Sequence, residues 1–261
     1  MPRIRVEIED HVARVTLSRP DKMNAVDQEM VAELIAAGAG LDRPEVRAVV
    51  LSGEGRAFCA GLDVASFATL ARGDPQAMVV PRTHGDANDY QQVALVWHRL
   101  PVPVIAALHG AVYGAGLQIA LGADIRIAAP DTRLAVMEMK WGLVPDMGGM
   151  VLLPRLVRGD VLRRLTYTAE SIDAARAEAW GLVTELAEDP QARALALARD
   201  IAARSPSAMR AAKRLMAVAE SGAPAAEVLR AESHEQAALI GGADQMEAIA
   251  ANMAGRPPRF G

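Results

Sequence analysis

Apolar and polar residues alternate through IRVEIED, so a strand is expected from Ile4 to Ile8, and a second from Val12 to Ser18. The period then lengthens. Between Asp27 and Leu41 the apolar Met30, Val31, Leu34 and Ile35 recur at the spacing that gathers them on one side of a helix. Further strands are predicted at Val46 to Ser52, Val102 to Leu108 and Ile125 to Ala128. Strands alternating with helices predict an α/β protein with a largely parallel sheet, because parallel neighbours need a crossover connection. Within Val64 to Leu100, Gly73, Pro75, Pro81 and Gly85 punctuate the chain, and Ala71 to Gly85 reads as a mobile loop.

After Pro154 the chain becomes rich in alanine and arginine, with capping signals at Ser171, Ser205 and Ser221 and almost no strand pattern. A helical second half is expected. Between Ser205 and Ser221, Met209, Ala212, Leu215, Met216 and Ala219 mark one helix face. Ala225 to Met253 predicts at least one more helix, broken near Gly241 and Gly242. Such faces serve either the core or a subunit contact.

Two predicted strands run into glycine-spaced turns. VPVIAALHGAVYGAGLQIALGAD, from Val102, passes through Gly110, Gly114 and Gly116 into a helix, and VRAVVLSGEGRAFCAGLD, from Val46, passes through Gly53, Gly55 and Gly61. Glycine admits positive φ and close approach of a ligand to the main chain. Backbone N–H groups at two such turns could hold one oxygen between them, and each well-placed donor to an oxyanion is worth roughly 2.7–4 kcal/mol of barrier. A dinucleotide-binding turn fails on spacing, because Ile119 stands where its third glycine should be. Tight strand-to-helix packing is the other reading of an isolated glycine turn.

Composition narrows the partners. The 261 residues are 51% hydrophobic, enough for a large core, and the net charge of −4 offers no global attraction for nucleic acid or an anionic membrane. No run approaches the roughly 18 apolar residues of a membrane span, and none has the signal-peptide pattern, so a cytoplasmic location is expected. Cys59 is the single cysteine and cannot form an internal disulfide. It lies beside the first turn without an acidic or histidine partner in the local motif, and reads as a small buried side chain rather than a nucleophile. His11, His84, His98, His109 and His234 show no metal-ligand spacing, so no metal is expected.

Five motifs stand in register: RPDKMNAV from Arg19, AFCAGLDV from Ala57, HGAVYGAGLQIALGADIRIA from His109, MKWGLVPDMGG from Met139 and AEAWGLV from Ala177. On these the chain resembles the crotonase superfamily, the enoyl-CoA hydratase/isomerase family, over nearly its whole length. The resemblance implies a spiral of β-β-α units over residues 1–200 that binds acyl-CoA, followed by a helical oligomerisation region over residues 201–261. It further implies homotrimers that can pair into hexamers, an acyl-CoA thioester as substrate, and no cofactor beyond the coenzyme A carried by that substrate. An RNA-binding relative is disfavoured by the acidic balance and the lack of a lysine-rich helix.

Site residues follow from the same resemblance. The oxyanion donors would be the main-chain N–H groups of Leu62 and Ala115; alanine replaces the usual glycine at the latter position but keeps the N–H. Hydratases of the family use two glutamates; the first aligns with Gln118, which cannot act as a base, and the second with Glu138. Asp146 matches a proton-moving carboxylate of the dienoyl-CoA isomerases, so the resemblance leans toward double-bond isomerisation by Glu138, with Asp146. The alternatives are a hydratase in which Gln118 holds a water for Glu138, and a non-catalytic acyl-CoA binder. Asp146 could instead cap the helix beginning near Met147, and Glu138 could pair with Lys140 or Arg133. Substrate contacts are expected from Lys22, Ala25, Ala60, Asp63 and Gly114. Gly255 takes the place of the family's C-terminal lysine, leaving Arg256 or Arg259 for the coenzyme phosphates. Candidate acyl-pocket residues are Met78, Trp97, Met137, Trp141, Val144 and Met147, with Trp141 supplying apolar surroundings that would raise the Glu138 pKa.

Overall fold

The computed structural model describes residues 2–66 and 72–261. Strands β1 (Ile4–Glu9) and β2 (Val12–Leu17) form an antiparallel hairpin turned by Asp10 and His11, both at positive φ. β3 (Ala48–Gly53), β4 (Val104–Leu108), β5 (Ala111–Tyr113), β6 (Ile125–Ala128), β7 (Arg133–Ala135), β8 (Ile172–Asp173) and β9 (Glu185–Leu186) follow. The large sheet has the order β1-β2-β3-β4-β6-β9 and is parallel from β2 onward; β5, β7 and β8 make a small second sheet.

The chain repeats one unit. β4 enters the large sheet, β5 the small one, and helix Ala115–Leu121 follows; β6, β7 and helix Gly149–Leu156 repeat the sequence. β3 begins an earlier copy whose second strand is reduced to the parallel bridge Cys59↔Val112. This is the β-β-α spiral of the crotonase architecture.

The central strands are buried on both faces, which their unbroken apolar stretches require. Val49 and Leu51 face the main core with Met30, Leu34, Trp97 and Leu117, whereas Ala48 and Val50 face a second core closed by Ala194, Ala198 and Ala202 of helix Pro190–Ala202. Successive residues of a strand point to opposite faces, and the alternation divides them between the two cores. Asp27 caps helix Gln28–Ala39 by accepting from the Met30 N–H at 2.8 Å.

Several elements depart from expectation. β4 starts at Val104 rather than Val102, because Pro103 has no N–H for the ladder. The segment expected to be a loop contains helix Pro75–Val79, capped by Asp74; Ala71 itself lies outside the described residues. Pro154 sits inside helix Gly149–Leu156. Ser205 does cap helix Pro206–Glu220, but Asp173 rather than Ser171 caps helix Ala174–Ala179, and Ser221 closes a helix instead of opening one. The helical second half still contributes β8 and β9, each too short to show a period.

Helices Ala225–Leu239 and Ala243–Met253 confirm the break at Gly241 and Gly242. The face predicted in Pro206–Glu220 is not the buried one. Ala212, Met216 and Ala219 are exposed, and Ala211 and Lys213 are buried instead. Lys213 Nζ reaches both the Val102 carbonyl and the Asp124 carboxylate at 2.8 Å, and this polar anchor sets the helix's rotation. Among the described residues no helix is long and apolar enough to cross a membrane.

Candidate active site

The two glycine turns meet. Phe58 N–H donates to the His109 carbonyl, Cys59 N–H to Ala111 and Tyr113 N–H back to Cys59, at 2.8, 3.1 and 3.0 Å. A β-carbon on Gly61 would lie 3.0 Å from the Tyr113 oxygen and 4.0 Å from the Ala115 nitrogen, so only glycine, here at φ +102°, lets the turns approach. The neighbouring amides are engaged: Ala60 with Met23, Asp63 with Val26, Gly114 with Ala135. Among the described residues the Leu62 and Ala115 N–H groups meet no protein acceptor. Both residues line a pocket of about 240 Å³.

That pocket also gathers Ala60, Gly114, Glu138, Trp141 and Asp146, as expected, and adds Tyr113 and Leu143. A β-carbon on Gly114 would lie 3.5 Å from Glu138 Oε1, so this glycine leaves room for the carboxylate beside the turn. Of the anticipated acyl wall, Met137, Trp141 and Met147 line the pocket. Met78 lines an adjoining cleft that shares Leu62, Trp97 is wholly buried in the core, and Val144 is exposed outside the lining.

Gln118 lies beneath the floor, only 2% exposed. Its Nε2 donates to Glu138 Oε1 at 2.6 Å, and its oxygen accepts from the Met147 and Gly149 N–H groups at 2.8 and 2.9 Å. Its acceptor oxygen is therefore occupied, so only its second amide N–H is left to hold a water, and Gln118 binds Glu138 to the segment that carries Asp146. Glu138 Oε2 is buried and, among the described residues, has no partner.

Burial holds the Glu138 carboxyl above its ordinary pKa; the nearby Asp146 charge adds to this, while N–H groups of Gln118 and the local backbone oppose it. No ion pair joins it to Lys140 or Arg133 among the described residues. Asp146 is exposed on the open side of the pocket but crowded on the other, and that desolvation also raises its pKa. It caps nothing: helix Gly149–Leu156 starts at Gly148 without a side-chain cap. Trp141 is 50% exposed, with Lys140 Nζ 5.9 Å from its ring centre, so burial of Glu138 owes more to the floor than to an enclosing indole.

The remaining expected contacts lie outside the pocket. Lys22 is exposed, and Ala25 engages its N–H with the Lys22 carbonyl and its carbonyl with Arg19. Asp63 turns away from the pocket to pair with Arg19 at 2.7 Å. Burial opposes its ionisation, but the Ala65 N–H and Arg19 hold its carboxyl below the ordinary value. Arg256 is bound to Glu247 at 2.6 Å. Cys59 is fully buried and burial pushes its thiol up to about 12, unsuited to nucleophilic attack. Among the described residues no three His, Cys, Asp or Glu side chains are arranged to hold a metal ion.

Sequence reasoning missed Asn24, wholly buried at φ 55° beneath the first turn. The available signal was an asparagine inside RPDKMNAV, since asparagine tolerates the left-handed region better than most residues.

A family model described as Enoyl-CoA hydratase/isomerase matches residues 7–261. The chain belongs to the enoyl-CoA hydratase/isomerase family. The Rhodobacter capsulatus protein named "Probable enoyl-CoA hydratase" is 37% identical across 98% of this family member and 97% of its own length. Human mitochondrial Delta(3,5)-Delta(2,4)-dienoyl-CoA isomerase is 35% identical over 78% of the chain and 64% of its own. Among solved structures, an enoyl-CoA hydratase from Polaromonas sp. JS666 superposes with a TM-score of 0.89 at 30% identity, covering 99% of both chains. These matches make the chain an enzyme of the family, and two amides without a protein acceptor among the described residues, beside a buried glutamate, can polarise a carbonyl and move a proton next to it.

Proposed function

We propose that the protein isomerises the double bond of an enoyl- or dienoyl-CoA thioester. The Leu62 and Ala115 N–H groups hold the thioester oxygen, and the Glu138 carboxylate removes a proton from one carbon of the acyl chain. The electron pair moves through the conjugated system onto that oxygen. When the resulting dienolate collapses, the Glu138 carboxyl returns the proton to a carbon further along, and the double bond has shifted with no change in composition. Asp146 serves as a second proton carrier for a dienoyl substrate, the class named for the human relative.

One observation carries this reading: Gln118 engages one oxygen of Glu138 and, among the described residues, leaves the other buried without a partner. Hydration would need a second group to activate water, and Gln118 keeps only an N–H for it, which can donate but cannot take a proton. Ala60, Asp63, Lys22, Ala25 and Gly114 surround the course of the coenzyme in this proposal. The region from residue 201 onward assembles trimers or hexamers, consistent with the exposed Leu229, Met246, Ile249 and Met253.

The test offers 2-enoyl, 3-enoyl and dienoyl thioesters to the protein in deuterated water, following absorbance and mass. Isomerisation shifts the absorbance and adds only deuterium; a product heavier by one water would overturn the assignment. Glu138→Gln should lower turnover by about 10²–10⁴-fold.

A further inference from the structure

The loop from Arg19 to Val26 contributes no residue to the pocket lining, yet it is fastened along the first glycine turn. Asn24 is the centre of that fastening. Its amide nitrogen lies 2.9, 2.8 and 3.1 Å from the carbonyl oxygens of Glu54, Ala57 and Phe58, and its side-chain oxygen accepts from the Arg19 N–H at 2.8 Å. Its main-chain carbonyl accepts from the Cys59 thiol at 3.0 Å. Two amide hydrogens shared among three carbonyls fix the turn more tightly than one bond would.

Main-chain bonds continue the seam on both sides. Ala60 N–H donates to Met23 at 2.9 Å, Val26 N–H to Gly61 at 2.8 Å and Asp63 N–H to Val26 at 2.8 Å. Arg19 closes the far end, donating to the Asp63 carboxylate at 2.7 Å and to the Ala25 carbonyl at 2.9 Å. Leu62 is thus bracketed by two bonds to Val26 while its own N–H, at the pocket, meets no acceptor among the described residues. The other face of the loop carries Lys22, exposed to solvent.

We infer that Asn24 is the positioning residue for the Leu62 amide, and that the loop it anchors couples occupancy of the coenzyme end of the substrate to the geometry of the oxyanion site. Contacts to a non-reacting part of a substrate accelerate chemistry when they hold the reacting part in its transition-state arrangement. Here Arg19 to Val26 is one body with two faces, so a contact on the coenzyme face bears directly on the turn behind it. This rests on the reading of Leu62 as an oxyanion donor and of the Lys22 loop as a coenzyme contact.

The test uses Asn24→Gly, which keeps the left-handed backbone unstrained and removes the side chain. The probe is a 3-ketoacyl-CoA, whose enolate absorbs in the ultraviolet, titrated with pH while bound. Wild type should lower the apparent pKa of the bound ligand, and Asn24→Gly should reverse most of that shift. Turnover should fall about 10–100-fold with affinity for free coenzyme A changed by less than about twofold. A short N-acetylcysteamine thioester, lacking the nucleotide, should turn over slowly in wild type and lose little more in the variant. A merely structural asparagine would lower thermal stability without separating enolate affinity from coenzyme affinity.

Equal enolate shifts in wild type and variant overturn the inference and leave the oxyanion reading standing. Absence of any shift in wild type overturns both. If Asn24→Gly does not fold, Arg19→Lys, which keeps a charge opposite Asp63 and loses the planar fork, carries the same comparison and the same two outcomes.

Discussion

At the turn leading into helix Ala115–Leu121, a β-carbon on Gly110 would lie 2.1 Å from the Arg56 carbonyl oxygen, and one on Gly116 2.4 Å from that of Cys59. The turn around Leu62 is tied in addition by side chains from a distant loop, Asn24 to three carbonyls and Arg19 to Asp63. Both turns need missing β-carbons, Gly53 and Gly61 included, but the turn around Leu62 is held by polar crosslinks as well. Closeness of main chains does not respond to pH or salt, whereas a seam containing an ion pair does. The two sides of one pocket should therefore fail under different conditions.

The largest effect is expected from Gly110→Ala. The new methyl group meets main chain that cannot swing aside, at φ +57°, and should cost about 3 kcal/mol or more in urea unfolding, with little dependence on pH or salt. Gly116→Ala should cost about 1–3 kcal/mol, and adding Cys59→Ala should not recover it, because the nearest obstacle is the Cys59 carbonyl oxygen rather than its side chain. A double-mutant cycle showing full recovery would break the comparison at this turn.

Arg19→Met tests the other side. Its loss strands the Asp63 carboxylate and should cost about 1–3 kcal/mol near pH 7. Since the folded Asp63 pKa is depressed, this stabilisation is present above the unfolded value and fades as pH falls through the folded one. A cost unchanged across that acid range would show that the seam does not depend on charge. Glu138→Gln leaves both turns untouched and gives the smallest effect on stability. The folded pKa of Glu138 is raised, so wild type bears the penalty of a buried charge at higher pH. The glutamine variant should melt slightly above wild type near pH 8, and the gap should close as pH drops below the unfolded carboxyl pKa. The wild-type activity profile should likewise lose its acidic limb at a pH above that of an ordinary carboxylate.

The glycine turns were legible because a missing side chain is itself a sequence signal, and so was the meeting of Glu138, Leu62 and Ala115 in one pocket once the flanking motifs stood in register. Asn24 gave only a weak signal, its place within RPDKMNAV. An asparagine in a polar loop is commonplace, and only the fold shows that it is buried with every polar atom engaged. Gln118 was noticed for what it cannot do, and its role came from two backbone amides about 30 positions away. In helix Pro206–Glu220 the periodic apolar face is not the one turned to the core, where Ala211 and Lys213 sit, Lys213 bound to Asp124; the other expected use of that face was a subunit contact.

Periodicity, proline and glycine placement and motif order determined five of the six strands of the large sheet, all but β9, with the first helix, the two turns and the family, since each of these reflects a chain's local preference or a pattern carried in linear order. Which oxygen of Glu138 stays free, which way Asp63 points and what Gln118 and Asn24 hold were decided by the tertiary structure alone. A hydrogen bond's partner is chosen by proximity in space, and segments far apart in the chain become neighbours only when the spiral closes.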